Sequence, residues 1–129
     1  MVQVKIYGLE EKLTPITRDL STVIHSCIIE AFKIPEDKKF HRFFPLDKKN
    51  FFFPSSRSEN YTIIEIIMFE GRSIETKKEL IKMIFNKIES EFAISQNDIE
   101  IVLIESNKYN WGIRGIPGDE LKLSYKTNV

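Results

Sequence analysis

The spacing of apolar and polar residues changes along the chain and predicts strands and helices in turn. Residues 2–6 alternate between apolar and polar side chains, which is typical of a β-strand with one covered face. Over residues 16–32 the apolar side chains recur with the helical period, which predicts an amphipathic helix with one buried stripe. We expect this helix to begin at Thr14, because a hydroxyl N-cap followed by Pro15 is a favoured helix start.

The same order of patterns occurs twice, about 60 residues apart. A shift of that size superimposes the apolar positions of two predicted helices, which indicates a duplicated unit. We therefore expect one domain, residues 1–129, built from pseudo-repeats of about 1–60 and 61–129. The superimposed positions are Leu20, Ile24, Ile28, Phe32 and Ile34 in the first unit and Leu80, Ile84, Ile88, Phe92 and Ile94 in the second.

Each unit is predicted to contain a strand, a helix and a second strand. Tyr61–Phe69 is apolar on both faces, as expected of a central strand, and Ser73 is placed to cap the helix that follows. The strands after the helices are expected at 39–46 and 98–105. Right-handed crossovers make each strand pair parallel, so the prediction is a two-layer α/β (α+β) fold with a four-stranded mixed sheet and two helices on one face.

Such a sheet leaves its second face without a cover. Ile63, Ile67 and Phe69 would point toward that face. Because soluble monomers rarely expose an apolar surface of this size, the pattern predicts self-association.

Three segments lie outside the repeated pattern. Phe51–Pro54, between the units, predicts a hydrophobic hairpin or an edge strand. After the second unit we expect a glycine-bearing loop at 110–119 and a short strand at 121–125.

The overall composition narrows the class of protein. Nineteen basic and nineteen acidic side chains cancel, which removes the electrostatic case for nucleic acid or a membrane surface as a partner. The apolar runs are too short for a transmembrane helix, and the start of the chain lacks the pattern of a signal peptide. Cys27, the one cysteine, can form no internal disulfide, so we expect a cytoplasmic protein. His25 and His41 are not at metal-ligand spacing and no phosphate or dinucleotide motif occurs, so no metal or cofactor is expected.

Four short strings together carry a family resemblance. They are Leu13-Thr14-Pro15, Ile34-Pro35-Glu36-Asp37-Lys38, Phe69-Glu70-Gly71-Arg72-Ser73 and Asn110-Trp111-Gly112-Ile113-Arg114-Gly115. In this order on a duplicated strand-helix-strand frame, they resemble the tautomerase superfamily, and most of all its malonate semialdehyde decarboxylase-like branch, which shares its fold with macrophage migration inhibitory factor. The resemblance implies a homotrimer that binds a small 2-oxo or enol carboxylic acid without a cofactor. A ferredoxin-like regulatory module repeats the same unit but does not account for the last two strings.

The resemblance also implies a catalytic position at the start of the chain. Enzymes of the superfamily use an N-terminal proline as general base or acid, and a gap-free count back from Pro35 places that position at Val2. Val2 could therefore serve only as a free N-terminal amine after removal of Met1, and the alternative is an apolar residue of an edge strand. The expected enol-keto tautomerase activity is weak or absent. The alternative function is that of a non-catalytic trimeric ligand-binding or interaction protein, so whether the chain is an enzyme stays open here.

Three further residues are implied as substrate-binding. Arg72 stands where relatives have an arginine that binds a substrate carboxylate, a role that suits a planar bidentate donor. The alternative for Arg72 is a surface arginine paired with Glu70 or Glu75. Trp111 and Arg114 would add an aromatic wall and a second cation to the pocket. The alternative for Trp111 is a packing contact between subunits. The alternative for Arg114 is a structural salt bridge.

The chain also departs from the family pattern at two places. Some relatives have a second arginine where this chain has Phe69 and Glu70. Some have an acidic residue just after the first helix, where this chain has Lys38 beside Asp37. Both departures argue against decarboxylase and dehalogenase chemistry.

Overall fold

The computed structural model describes all 129 residues and contains a four-stranded sheet in the order β2-β1-β3-β4. The strands are β1 (Val2–Leu9), β2 (His41–Leu46), β3 (Thr62–Phe69) and β4 (Ile99–Ser106). β1 pairs with β2, and β3 with β4, in parallel, whereas β1 and β3 pair antiparallel. The predicted mixed sheet of two strand-helix-strand units is therefore confirmed.

The first helix begins earlier than the sequence suggested. Thr14 has helical backbone angles (φ −54°, ψ −44°) and its side chain caps nothing, so the expected start at Thr14 is wrong. A tighter turn around Pro15, which has no N–H to donate, interrupts the helix. In the second unit the predicted cap is confirmed, because the Ser73 hydroxyl accepts a hydrogen bond from the Thr76 N–H at 3.1 Å. The helical segments are α1 (Glu10–Leu13), a 3-10 turn (Thr14–Ile16), α2 (Thr17–Phe32) and α3 (Ile74–Phe92).

Backbone features of the two units also recur about 60 residues apart. β1 and β3 are both eight residues long, begin 60 positions apart and bury the same alternate positions. α2 and α3 end at Lys33 (φ 56°) and Ala93 (φ 54°), which have the same left-handed conformation. Short 3-10 turns follow at Lys48–Asn50 and Lys108–Asn110. The two units therefore share their turns and helix ends as well as their apolar pattern.

The core lies between the helices and one face of the sheet. It is a cluster of 18 buried apolar residues, and burial of each large aliphatic side chain contributes about 1.5–3 kcal/mol. Cys27 belongs to this cluster, and burial raises the pKa of its thiol. Nine of the ten repeat positions are buried, and the tenth, Phe92, packs against the cluster.

The other face of the sheet is uncovered in the single chain. Ile67 is half-buried there, and Val102 and Ile104 are exposed. The face also contains a polar pair, because the Tyr7 hydroxyl donates to Glu65 Oε1 at 2.7 Å. Phe69, which the alternation assigned to this face, is instead fully buried.

The segment between the units contains no strand. Residues Phe51–Pro54 have neither helical nor strand structure, so the predicted hairpin or edge strand is wrong. The rings of Phe51 and Phe53 pack on Tyr61 with centroids 5.5 and 5.2 Å away, and Phe52 is 87% exposed. Aromatic packing against the start of the second unit replaces strand pairing.

The C-terminal part also differs from the prediction. The expected loop contains a small hairpin, β5 (Gly112–Ile113) with β6 (Ile116–Pro117), whose turn has positive φ at Arg114 (51°) and Gly115 (89°). Residues 121–125 form no strand, so that prediction is wrong. None of the helices is both long and apolar enough to cross a membrane.

Candidate functional site

Arg72 lies in the turn that joins β3 to α3. Gly71 precedes it with φ +125°, a conformation that L side chains rarely adopt, and Ser73 follows it as the cap of α3. This turn directs Arg72 inward, so that it is only 4% exposed. Its Nη1 donates to the Phe69 carbonyl at 3.3 Å, and its Cζ lies 4.3 Å from the centre of the Phe32 ring.

The Arg72 guanidinium has no charged partner. Its Nε and Nη2 are buried and make no hydrogen bond. Burial lowers the pKa of Arg72, while Tyr125 and Glu105 act in the opposite direction. The alternative of a surface arginine paired with Glu70 or Glu75 is therefore wrong. A buried donor without a partner is unfavourable, so this group is suited to receive an anion.

The amino group of Met1 lies in the field of this arginine. The Met1 carbonyl accepts a hydrogen bond from the Phe69 N–H at 3.2 Å, which holds the start of the chain against the end of β3. Burial, followed by the charges of Arg72 and Lys108, lowers the pKa of the Met1 amine from 8.0 to about 5. The amine is therefore largely unprotonated at neutral pH.

Val2 itself is part of the core. It is 4% exposed and pairs with Met68 across the β1–β3 ladder. Because β1 lies between β2 and β3, the alternative of an edge-strand residue is wrong. The nitrogen of Val2 is an amide here, and it follows Met1 directly at the end of the sheet where Arg72 lies.

A cavity of about 130 Å³ adjoins Met1. Its wall contains three cations, Lys38, Arg114 and Lys122, and no carboxylate. Tyr125 also lines it, and burial raises the pKa of its phenol, while the charge of Arg72 acts in the opposite direction. The structure thus brings Met1 and Arg114 into one cavity wall. Arg72 is not part of that wall, but its charge acts on two residues that are, Met1 and Tyr125.

Trp111 lies outside that cavity wall. Its ring meets Phe69 edge-on at 5.1 Å, and its carbonyl accepts a hydrogen bond from the Gly118 N–H at 2.7 Å. The indole N–H is buried without a partner. Trp111 therefore supports the strand end to which Arg72 is attached, rather than forming a wall beside Met1.

Sequence reasoning missed two residues of this region. Lys108 acts on the Met1 amine and lies 5.8 Å from the centre of the Phe69 ring, yet no motif included it. Tyr125 was assigned to a strand. The only sequence signal for Tyr125 was the alternation of apolar residues over 121–125, which marks an inward-facing side chain without saying what it faces.

A larger cavity, of about 170 Å³, lies beside Lys12 and Lys48 in the first unit. The 60-residue offset pairs these two lysines with Arg72 and Lys108. The side chains that line this cavity carry a net negative charge, which makes the cavity unsuited to an anionic ligand. Its four acidic residues are Glu10, Glu11, Asp47 and Glu59.

The arrangement beside Met1 can attract and hold an anion. The Arg72 guanidinium has two nitrogens without a hydrogen-bond partner, and its planar shape matches that of a carboxylate. The cations around Met1 add a positive potential that attracts an anion. No group of three or more histidine, cysteine, aspartate or glutamate side chains is arranged to hold a metal ion.

Comparison with known proteins identifies the family. Residues 38–114, which are more than half of the chain, match the family described as tautomerase enzyme. The chain is 29% identical over 97 residues to the probable tautomerase YusQ of Bacillus subtilis (strain 168), a match that covers 71% of this chain and 76% of that protein.

Solved structures show the same fold. Malonate semialdehyde decarboxylase has a TM-score of 0.76 at 16% identity, covering 86% of this chain and 89% of that one. Native fused 4-OT has a TM-score of 0.80 at 14% identity, and the match covers 92% of this chain and 98% of that one. Pt0534 inactivated by 2-oxo-3-pentynoate has a TM-score of 0.82 at 16% identity, and the match covers 93% of this chain and 99% of that one. The chain therefore belongs to the tautomerase family, as its sequence strings predicted.

Proposed function

We propose that this protein binds a small 2-oxo or enol carboxylic acid at the cavity beside Met1, with Arg72 as the carboxylate anchor. The observation that carries the proposal is the buried guanidinium of Arg72, two of whose nitrogens have no partner. A ligand carboxylate would supply the missing acceptors, and charge-assisted bonds of this kind are stronger than neutral ones.

The surroundings of Met1 support an anionic ligand of small size. Lys38 and Arg114 line the cavity without an opposing carboxylate. Two structures of the same fold were obtained with small carboxylic acids: Pt0534 inactivated by 2-oxo-3-pentynoate and a malonate semialdehyde decarboxylase inhibited by 3-bromopropiolate. These similarities favour the same chemical class of ligand here.

The expected enol-keto tautomerase activity is weak or absent. Relatives use a proline at the position that Val2 occupies, and a primary amine is more mobile than a proline ring. With Met1 retained, the candidate base is the Met1 amine, whose pKa of about 5 makes it unprotonated at pH 7 but a poor proton acceptor.

We also propose that the protein is a homotrimer in the cytoplasm. The uncovered sheet face, with Ile67, Val102 and Ile104, is best covered by identical sheets around a threefold axis. Fused 4-OT of the same fold forms trimers. The cytoplasmic assignment follows from Cys27, a buried free thiol without a disulfide partner.

A second function is that of a non-catalytic trimeric ligand-binding or interaction protein. The state of the Val2 nitrogen favours it, because with Met1 in place this nitrogen lies in a peptide bond and an amide nitrogen does not act as a base. As a ligand-binding protein it would hold the ligand at Arg72, as in the first function, and would differ from it only in catalysis.

Calorimetry with phenylpyruvate tests the binding. Arg72→Gln is expected to weaken binding by on the order of 2 kcal/mol, because charge-assisted hydrogen bonds are lost. The matched control is Arg18→Gln, at an exposed arginine of α2 outside the cavity wall. Equal affinities for all three proteins would reject the carboxylate site. The rate of phenylpyruvate enol-keto exchange then separates the two functions.

A further inference from the structure

The last nine residues cover the candidate site without forming regular structure. In residues 121–129 the odd positions are buried or half-buried and the even positions are exposed. This alternation is typical of an extended segment that lies flat on a surface. We call residues 121–129 the C-terminal strap.

The strap lies across the cavity and the turn that contains Arg72. Its first part, residues 121–125, supplies more than half of the residues that line the cavity beside Met1. Farther along, Thr127 is buried, and its carbonyl oxygen lies 3.0 Å from where a Cβ at Gly71 would be. Glycine at position 71 thus permits the close approach of the strap to the residue beside Arg72.

The strap is held by few bonds. No backbone hydrogen bond involves residues 122–128. The Val129 carbonyl accepts from the Ser73 N–H at 3.4 Å and from the Thr76 hydroxyl at 2.9 Å. Segments with so few backbone bonds open at low free energy.

The closed strap leaves the site in an unfavourable state. Arg72 is 4% exposed with two unpartnered nitrogens, and burial opposes its charge. The remaining cavity, about 130 Å³, is smaller than the ~300–1,000 Å³ of typical ligand pockets. Tyr125 of the strap lines this cavity, and the Thr127 carbonyl packs against Gly71, the residue beside Arg72.

The geometry points to the C-terminal strap as a releasable cover: it closes over Arg72 in the empty protein, and a carboxylate ligand binds by displacing it. This inference rests on the proposed function, since it takes the ligand to be a small carboxylic acid. The strap would compete with the ligand for Arg72, and so would set the affinity of the protein for the ligand and the rate at which the ligand enters.

Limited trypsin digestion measures the release of the strap. Lys122 and Lys126 are exposed, and cleavage after either removes a defined peptide that intact-mass spectrometry detects. Cleavage after Lys49, which lies outside the cavity beside Met1, is the internal reference. Saturating phenylpyruvate is expected to speed removal of the strap about tenfold. The ligand carboxylate would give the Arg72 guanidinium the hydrogen-bond partner that it lacks, and this gain would favour the open strap.

Two variants test the strap without a ligand. Arg72→Met replaces the unpaired charge by an apolar chain of similar length, so it is expected to favour the closed strap and slow cleavage several-fold. Thr76→Val removes the hydroxyl that holds Val129 and is expected to speed cleavage while Arg72 is unchanged. Thermal unfolding of both variants checks that the fold is retained.

The outcomes separate this inference from the proposed function. If phenylpyruvate binds but the cleavage rate after Lys122 and Lys126 does not rise, the strap is not displaced and the inference is overturned while the proposed function stands. If phenylpyruvate does not bind but Arg72→Met slows cleavage, the proposed function fails and the strap remains supported. Unchanged cleavage in both Arg72→Met and Thr76→Val overturns the inference whatever binds.

Discussion

Arg72 and the start of the chain show how single residues set what this site can do. The guanidinium is buried with two unpartnered nitrogens, and Val2 stands where the family resemblance places the proline. Under the proposed function Arg72 is the anchor for an acid, and the candidate base is the Met1 amine, whose pKa is lowered. Binding and catalysis can therefore be separated by substitutions at these residues.

Introducing a proline at position 2 is expected to raise the rate of proton transfer. In protein whose Met1 has been removed, as verified by mass spectrometry, Val2→Pro places a rigid secondary amine beside Arg72. A base with a pKa near neutrality contributes about 10²- to 10⁴-fold to a proton transfer. The measurement is the rate of phenylpyruvate enol-keto exchange, with Val2→Ala as the control that keeps a primary amine. Equal rates in a folded Val2→Pro protein would favour the non-catalytic function.

A histidine pair predicts a loss of stability in mild acid. Burial, then the neighbouring His25 and Lys39, lower the pKa of His41 from 6.5 to about 4. The unfolded chain therefore takes up a proton between pH 6.5 and pH 4 that the folded chain does not, so stability falls as pH falls through this window. Because His41 is partly exposed, we expect the loss to be on the order of 2 kcal/mol.

Urea unfolding at pH 7 and pH 4.5 measures this contribution. His41→Asn lacks the titrating ring, so its stability is expected to fall less than that of the unchanged protein. The Met1 amine, which also has a lowered pKa, is present in both proteins and cancels in the comparison. An identical pH dependence in the two proteins would show that His41 is not responsible.

At the scale of elements, the C-terminal hairpin β5–β6 supports the end of β3. A Cβ at Gly118 would lie 2.5 Å from the Lys108 carbonyl oxygen and 3.0 Å from the Trp111 Cβ. Gly118→Ala is therefore expected to destabilise the protein by about 1–3 kcal/mol, as overpacking does. Urea unfolding followed by the emission of Trp111, the one tryptophan, measures the change. Gly112→Ala is the matched control, since nothing lies within 4 Å of its Cβ, and equal stability of both variants would contradict the packing described here.

The elements also show what a sequence can and cannot predict. The four main strands and the cap at Ser73 were predictable, because alternation and capping are local signals. The start of the first helix was not, because Thr14-Pro15 is also compatible with a tighter turn inside a helix. The alternation over 121–125 predicts a strand that the structure lacks, since alternation shows which side chains face inward but not whether a neighbouring strand is present.

The candidate site was predictable only in part for the same reason. Arg72 could be found from its Gly-Arg-Ser string, but the Phe32 ring that it contacts and Tyr125, which acts on its pKa, lie 40 and 53 positions away in the sequence. The contribution of Lys108 likewise depends on how the turn after β4 folds back toward Met1. Such long-range contacts leave no local pattern.

At the scale of the whole molecule, the uncovered sheet face predicts a trimer of about three times 15.2 kDa. Ile67 is half-buried on that face, so Ile67→Lys is expected to give monomers. The control is Ile74→Lys, at a 62% exposed position at the start of α3. Multi-angle light scattering distinguishes the species. A monomer of the unchanged protein at micromolar concentration would contradict the proposed assembly.

A crystal structure with bound phenylpyruvate tests whether Arg72 holds the carboxylate of a small 2-oxo acid. The carboxylate is expected against Nε and Nη2 of Arg72, with residues 121–129 moved away from the cavity. Density for the ligand elsewhere, with Arg72 still covered and unpartnered at saturating phenylpyruvate, would contradict it.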